Sequence, residues 1–316
     1  LSMRKTCLDV VYDLAKQDER VVFIGSDLGA GTLDQFRDEM PDRFFMEGVS
    51  EQNLIGMAAG LAMEGFIPYV NTIATFITRR CYEQLAVDLC LHNLPVKLIA
   101  NGGGLVYAPL GPTHLAIEDM AILRALPRMS IFAPCDREEM TRLVPQTLDM
   151  TGPCYIRLAK GGDEVVSEAE RGFEIGKAIQ MRKPGKVLII GTGITTTRAL
   201  HAAEELEGQG IDCGVLHMHT VKPLDEAAIL SQLDGVELLV TVEEHTLVGG
   251  LGSAVGDLLL DKAPNAVSRL VRLGIPDIFA DKYGTQDELL EYYGLQGFQI
   301  AQRIRDTLKG EGAQVA

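Results

Sequence analysis

A single acidic residue, Glu51, begins a segment with helical spacing that runs to Met63. A carboxylate is favoured at the N-terminal end of a helix, where free backbone N–H groups and the helix dipole attract negative charge. Small side chains along the segment let another backbone or a flat ligand approach closely. These small residues are Gly56, Ala58, Ala59, Gly60 and Ala62. Two interpretations stay open: Glu51 is a ligand-binding or catalytic acid, or it is an ordinary acid at the start of an interface helix.

The cysteines and histidines show no metal-binding motif. The six cysteines are scattered without a CxxC pair, so we expect reduced, buried thiols. His217 and His219 lie close together, and on a strand their spacing would place both on one face. No other ligand is near them in sequence, and we therefore predict no metal site formed by this chain.

Composition and charge exclude several classes of function. Hydrophobic residues make up 47% of the 316 residues, which is typical of a globular protein with a packed core. The formal charge of −15 would repel nucleic acids and anionic membranes. No apolar run approaches the roughly 18 residues that a membrane span needs, and no signal pattern is found at the N-terminus. We expect a cytoplasmic protein that binds neither nucleic acid nor membrane.

Short apolar runs alternate with amphipathic stretches between residues 20 and 157, which is typical of a parallel sheet with crossover helices. The pattern predicts strands over 21–25, 67–70, 96–100, 130–133 and 154–158. It predicts helices over 51–63, 82–91, 117–125 and 137–148, with Asp136 as the N-cap of the last of these helices.

A second alternating region follows a break in the pattern. Glycine, proline and charged residues interrupt the periodicity between Gly161 and Gly185. Beyond the break, the pattern predicts strands over 187–191, 212–217, 237–242 and 268–273, with helices over 194–207 and 250–260 and further helices to about residue 309. We predict an α/β protein of two domains, 3–165 and 186–316, joined by a linker over 166–185. Each domain is expected to contain a mainly parallel sheet with helices on both faces.

Five motifs resemble segments of the transketolases. Residues 48–52, Gly-Val-Ser-Glu-Gln, resemble the Gly-Ile-Arg-Glu-His segment of the transketolase pyrimidine-binding domain, and the segment from Thr75 to Gln84 resembles the one that stacks on the coenzyme. Residues 111–114, Gly-Pro-Thr-His, resemble an active-site loop. Residues 216–225 and 243–252 resemble the C-terminal domain shared by transketolases, deoxyxylulose-phosphate synthases and the β subunits of 2-oxoacid dehydrogenases. By the order and spacing of these motifs, the chain is identified as a member of the thiamine-diphosphate (ThDP) enzyme superfamily.

The resemblance implies a role for each matching residue. Glu51 would bind the pyrimidine nitrogen of ThDP and favour the imino tautomer, which removes the thiazolium proton. Phe76 would stack on the pyrimidine, and His114 would donate a hydrogen bond to the substrate oxygen or move a proton. Further coenzyme contacts are expected from residues around these: Asp27, Val49, Arg79 and Arg80.

A partner chain is also implied. ThDP enzymes hold the diphosphate through Mg²⁺ bound by a Gly-Asp-Gly motif, and no Gly-Asp-Gly occurs in this sequence. We therefore expect a split enzyme. This chain would form a homodimer, and a separate N-terminal transketolase subunit would ligate the metal in an α2β2 assembly.

Departures from the transketolase pattern affect the substrate. Leu110 replaces an aspartate that reads a substrate hydroxyl, and Gly102 replaces a histidine. Gly31 replaces a phosphate-contacting serine. Lys160 replaces an arginine that holds the acceptor phosphate, with Arg157 nearby, and we expect both of these residues to bind substrate. These differences leave the donor and the acceptor open.

The resemblance implies transfer of a two-carbon ketol unit from a ketose to an aldehyde acceptor. Two alternatives remain, namely the β subunit of a 2-oxoacid dehydrogenase and a scaffold subunit that has lost the chemistry. The Gly-Pro-Thr-His motif favours ketol transfer over the first alternative. The presence of Glu51, Phe76 and His114 argues against the second.

Overall fold

Apolar stretches of the first half of the chain become the strands of one sheet. The computed structural model describes residues 2–26, 31–159 and 161–310. The strands of this half are β1 (Val21–Gly25), β2 (Phe44–Met46), β3 (Ile67–Ile73), β4 (Lys97–Asn101), β5 (Ser130–Phe132) and β6 (Cys154–Arg157). They pair in parallel in the order β5-β6-β4-β3-β1-β2. Their side chains are almost all buried, as expected for a parallel sheet covered on both faces.

Helices cover both faces of this sheet. Successive residues of β1 point to opposite faces, so Phe23 packs in a cluster with α1 and α7 while Ile24 packs with α3. The helices are α1 (Met3–Gln17), α2 (Asp34–Glu39), α3 (Glu51–Met63), α4 (Ala74–Arg79), α5 (Tyr82–Gln84), α6 (Asp119–Arg124) and α7 (Arg137–Thr147). A π-helix (Leu85–Leu91) continues α5, and 3-10 turns span Pro41–Arg43 and Ala108–Leu110.

The second half of the chain forms a smaller sheet in the order β12-β11-β8-β9-β7. Its strands are β7 (Ile179–Arg182), β8 (Val187–Gly191), β9 (Cys213–His217), β11 (Leu238–Thr246) and β12 (Arg269–Ile275), after a 3-10 turn at Ala169–Arg171. All pairs are parallel except β7 with β9. The helices are α8 (Thr195–Glu207), α9 (Glu226–Ser231), α10 (Leu251–Lys262), α11 (Gln286–Tyr292) and α12 (Gly297–Leu308). The predicted class, two α/β domains with mainly parallel sheets, is confirmed.

The two halves are joined more closely than the sequence suggests. Strand β10 (Thr220–Lys222) lies in the second half of the chain but pairs antiparallel with β5 of the first sheet. Strand β7 belongs to the second sheet although it lies inside the predicted linker, 166–185. Strand β10 therefore ties the second half of the chain to the first sheet, and the predicted domain bounds stay a prediction.

Among the described residues, no helix combines the length and the apolar character needed to cross a bilayer.

Candidate functional site

Glu51 is the first residue of α3 and its side chain is buried although it can ionise. The residue is 4% exposed. The segment before it is open: Gly48 has a φ of 69°, which favours glycine, and Val49 is 77% exposed. The helix start therefore holds a sheltered carboxylate beside an exposed apolar side chain.

Phe76 and Arg80 lie against this carboxylate. Arg80 Nη1 is 3.2 Å from Glu51 Oε2, and the guanidinium carbon lies 4.0 Å from the centroid of the Phe76 ring. Both residues come from the turn formed by α4 at the end of β3. A planar group with N–H donors thus fits between an aromatic face and a carboxylate. The exposed Arg80 side chain is free to move away, because Glu51 is its only recorded polar contact in the described part of the chain.

His114 reaches the same place from a different loop. Its ring centroid lies 5.2 Å from that of Phe76 at an interplanar angle of 63°, and its Nδ1 is 2.8 Å from the Thr113 hydroxyl. The loop bends at Gly111, where φ is 78° and a Cβ would meet the ring of Tyr283 at 2.6 Å. Only glycine fits this position, and the bend brings His114 to Phe76.

Arg79 points away from Glu51. Its guanidinium contacts the Glu118 carboxylate at 2.9 Å, the Thr75 hydroxyl at 2.6 Å and the Leu115 carbonyl at 3.1 Å. Burial raises the pKa of Glu118, an effect that the Arg79 charge opposes. Arg79 therefore braces the loop that carries His114, and a coenzyme contact by Arg79 stays a prediction.

A cleft with a volume of about 460 Å³ opens beside Arg79. Its walls are mainly apolar and come from the His114 loop, from α6 and from the second domain. The lining includes Pro112, Leu115, Ile122, Val248 and Phe279. The cleft therefore lies beside the loop that carries His114 and is lined by Arg79, the neighbour of Arg80.

Arg157 has a different environment from the predicted one. It is 7% exposed, and its guanidinium donates to both oxygens of Asp119, at 2.8 and 3.1 Å, and to the Ala116 and Glu244 carbonyls at 2.9 Å. Burial opposes the charge of Arg157, and Asp119 stabilises it and raises its pKa. These contacts join the two domains, and a contact of Arg157 with substrate stays a prediction.

Two predicted residues, Asp27 and Lys160, lie outside the described residues. Two of the departures from the transketolase pattern, Leu110 and Gly102, lie in described segments with defined surroundings. Leu110 is 51% exposed. The ring of Tyr107 fills the space beside Gly102, where an added Cβ would meet it at 2.1 Å.

Two buried glutamates at the domain interface, Glu243 and Glu244, make contacts that the sequence did not predict. Glu244 accepts from the Leu105 N–H and from Gln286, both at 2.8 Å, and burial raises its pKa to about 7. Glu243 accepts from the N–H groups of Leu251 and Gly252 at the start of α10, and burial raises its pKa to about 7 as well. The sequence feature that could have indicated these contacts is the pair of consecutive acids, Glu243 and Glu244, on an otherwise apolar strand.

Both halves of the chain match family models. Residues 1–162 match the transketolase pyrimidine-binding domain, and residues 176–300 match the transketolase C-terminal domain. The chain belongs to the transketolase family, and its two domains are these two.

Several relatives have the same extent as this chain. A putative uncharacterised transketolase family protein of Sinorhizobium fredii is 42% identical over 93% of this chain and 86% of its own length. A putative transketolase C-terminal section of Methanocaldococcus jannaschii is 38% identical over 98% and 97%. A 1-deoxy-D-xylulose-5-phosphate synthase of Synechococcus is 40% identical, but this chain covers 47% of it. The chain is therefore similar over its length to a protein named as a transketolase C-terminal section, and it spans about half the length of the synthase.

Solved structures agree with this assignment. A split-gene transketolase, described as an inactive beta4 tetramer, superposes with a TM-score of 0.87 at 33% identity over 98% of both chains. A transketolase of Pichia stipitis has a TM-score of 0.79 at 20% identity over 99% of this chain and 47% of the other, which shows the fold alone.

Proposed function

We propose that this chain is one subunit of a cytoplasmic, ThDP- and Mg²⁺-dependent transketolase. The complex moves a two-carbon ketol unit from a ketose phosphate to an aldehyde acceptor. A separate subunit of the N-terminal transketolase type binds the diphosphate and the metal, in an α2β2 assembly. The observation that carries the proposal is the convergence of Glu51, Phe76 and His114 at one opening.

The residues at this opening fit the pyrimidine end of the coenzyme. The Arg80 guanidinium already makes the two contacts that an aminopyrimidine requires, a ring face at Phe76 and a carboxylate at Glu51. Exposed Val49 lies next to them. A bound ThDP supplies a carbon nucleophile for cleaving the bond beside a carbonyl group.

Each side chain has a distinct task. Glu51 holds the pyrimidine nitrogen by a hydrogen bond, and its burial keeps water from competing for that bond. Phe76 fixes the ring plane, and the aromatic contact adds roughly 0.5 to 1.5 kcal/mol to area burial. His114 donates to the substrate carbonyl oxygen, and the Thr113 hydroxyl orients its ring.

Two findings support the need for a partner. The synthase relatives are about twice as long, since this chain covers 47% of the Synechococcus enzyme. The split-gene transketolase with the same extent is described as inactive when it is a beta4 tetramer. We assign Mg²⁺ and the diphosphate to the other subunit, and dimerisation of this chain to the assembly.

The donor is the least constrained part of the proposal. Exposed Leu110 gives the site an apolar edge. Such an edge suits a modified ketose better than an ordinary ketose whose hydroxyl groups are all recognised by hydrogen bonds. A relative from Clostridium, named 6-deoxy-6-sulfo-D-fructose transketolase subunit, is 37% identical over 96% of this chain and supports such a substrate. The 40% identity to a deoxyxylulose-phosphate synthase favours a second candidate function, which begins with decarboxylation of a 2-oxo acid.

The test uses this chain with the N-terminal-type subunit that co-purifies with it. We expect ThDP- and Mg²⁺-dependent cleavage of fructose 6-phosphate or a modified ketose phosphate, and little CO2 from pyruvate. Rapid CO2 release from pyruvate would support the second candidate. Glu51→Gln should lower kcat by about 10²- to 10⁴-fold, while Glu47→Gln, an exposed acid just before the helix, should leave it unchanged. Full activity of the Glu51→Gln complex would favour the scaffold alternative, and full turnover by this chain alone would refute the split site.

A further inference from the structure

A buried cluster with the side chains of a metal site lies where the two domains meet. Cys135 follows β5, Glu139 is in the first turn of α7, and His217 ends β9. A thiol sulfur, a carboxylate oxygen and a ring nitrogen of these residues all lie within 4.8 Å of one another. All three residues are fully buried. The cluster lies outside the site around Glu51 and joins one domain to the other.

The contacts inside the cluster leave one oxygen unused. His217 Nε2 is 2.8 Å from Glu139 Oε2, which also accepts from the Cys135 N–H at 2.7 Å. The other oxygen, Oε1, is buried and has no hydrogen-bond partner among the described residues. A buried carboxylate oxygen without a donor costs free energy, and such atoms are rare unless a water or an ion satisfies them. This oxygen is an observation independent of the spacing of the three side chains.

Two carboxylates, those of Asp136 and Glu139, lie beside Cys135. Asp136 Oδ2 lies 3.6 Å from the Cys135 sulfur. The recorded polar partners of Glu139 within the described ranges include no lysine or arginine. A divalent cation would relieve this arrangement by binding the thiolate and the carboxylate together.

We propose that Cys135, Glu139 and His217 bind a zinc-class metal ion that clamps the two domains. A thiolate, an imidazole and a carboxylate are the ligands zinc prefers, and Glu139 can offer its second oxygen as well. Ligand atoms around a tetrahedral zinc ion lie roughly 3 to 4 Å apart, so small side-chain shifts suffice. The Thr196 hydroxyl, 2.6 Å from His217 Nδ1, is placed to orient the ring of a metal-binding histidine. No local pattern in the sequence predicts this site, because Glu139 and His217 are 78 positions apart.

Metal content of the full chain tests the proposal. Tag-free protein is expressed in zinc-supplemented medium and treated with a chelator during desalting to remove loosely bound metal. Its zinc content is then measured by inductively coupled plasma mass spectrometry. We expect about one zinc ion per chain, with most of it lost in Cys135→Ser and His217→Asn. The controls are Cys213→Ser, a buried thiol on the strand that carries His217, and His92→Asn, an exposed histidine. Both control variants should keep the ion.

Cobalt gives a second readout that does not depend on stability. Protein expressed with Co²⁺ should show thiolate-to-cobalt charge-transfer absorption, and the Cys135→Ser protein should lack it while Cys213→Ser keeps it. Circular dichroism identifies any variant that fails to fold, and the conservative variant Glu139→Asp then takes its place. Zinc-free wild-type protein without the cobalt band would overturn the proposal and leave a hydrogen-bonded histidine–glutamate pair. Equal metal content in Cys135→Ser and Cys213→Ser would overturn it as well.

Discussion

Arg80 covers the face of Phe76, with its guanidinium carbon 4.0 Å from the ring centroid. The same guanidinium reaches the Glu51 carboxylate at 3.2 Å. It therefore takes both contacts that the proposed pyrimidine site offers. Because the Arg80 side chain is 45% exposed, it can leave, but its departure costs free energy. In this position Arg80 would compete with the proposed coenzyme, whereas the family resemblance predicts that it contacts the coenzyme, and that contact stays a prediction.

Arg80→Ala should strengthen ThDP binding. The cation–π contact and the ion pair that the half-exposed Arg80 side chain makes together contribute about 1 kcal/mol, so we expect roughly three- to tenfold tighter binding. Titration calorimetry of ThDP into the reconstituted complex measures this change. Arg79→Ala is the matched control, since that guanidinium faces Glu118. Weaker binding by Arg80→Ala would show that Arg80 holds the coenzyme directly.

His114→Asn should reduce turnover more than coenzyme binding. The ring meets Phe76 edge-on at 5.2 Å and faces the expected substrate position. Loss of a donor that stabilises a developing negative charge costs about 10²- to 10³-fold in kcat. Steady-state kinetics and ThDP titration of the same complex separate the two effects. Thr113→Val, which removes only the hydroxyl at 2.8 Å, should have a smaller effect on kcat, and an equal loss of ThDP affinity in His114→Asn would assign the histidine to the coenzyme.

The sequence predicts elements well where the pattern is local. The strand Val21–Gly25 and the helix Glu51–Met63 have the predicted bounds, because hydrophobic period and helix-start residues are local signals. The Asp136 N-cap is confirmed, since its side chain accepts from the Glu139 N–H. The resemblance placed Glu51, Phe76 and His114 in one site; Phe76 contacts His114, and Arg80 bridges Phe76 and Glu51. Those contacts are geometric, and the roles assigned to the residues stay predictions.

Contacts between residues far apart in the chain could not be predicted from the sequence. Strand β10 has three residues and joins the first sheet from the second half of the chain, and so short a segment has no period to detect. Arg157 was interpreted as a substrate residue because it lies near Lys160. Its partner Asp119 is 38 positions away, and only the fold brings the two charges together. A buried partner separated this far in sequence leaves no local pattern.

Asp119→Asn should destabilise the protein strongly. Burial opposes ionisation of Asp119, but Arg157 and His245 hold its pKa below the ordinary value. The substitution leaves the buried Arg157 charge without its partner, which costs about 3 to 5 kcal/mol. Urea unfolding measures the change. Asp9→Asn breaks an exposed pair with Lys5 and should cost under about 1 kcal/mol. If Asp119→Asn left stability unchanged but raised the KM for a phosphorylated substrate, the result would support the predicted role of Arg157 in binding substrate.

Glu244→Gln should change how stability depends on pH. Burial raises the pKa of Glu244 from 4.5 to about 7, so the folded state binds the proton more tightly than the unfolded state. The carboxyl group therefore lowers the free energy of unfolding as pH rises from about 4.5 to about 7. Glutamine keeps an acceptor for the Leu105 N–H and never ionises, so the variant should gain about 1 to 3 kcal/mol relative to wild type between pH 5 and pH 8. Urea unfolding at both pH values measures this difference. Exposed Glu47→Gln, the control, should show no such gain, and a gain at pH 5 instead would mean that Glu244 is ionised and favourably paired in the folded protein.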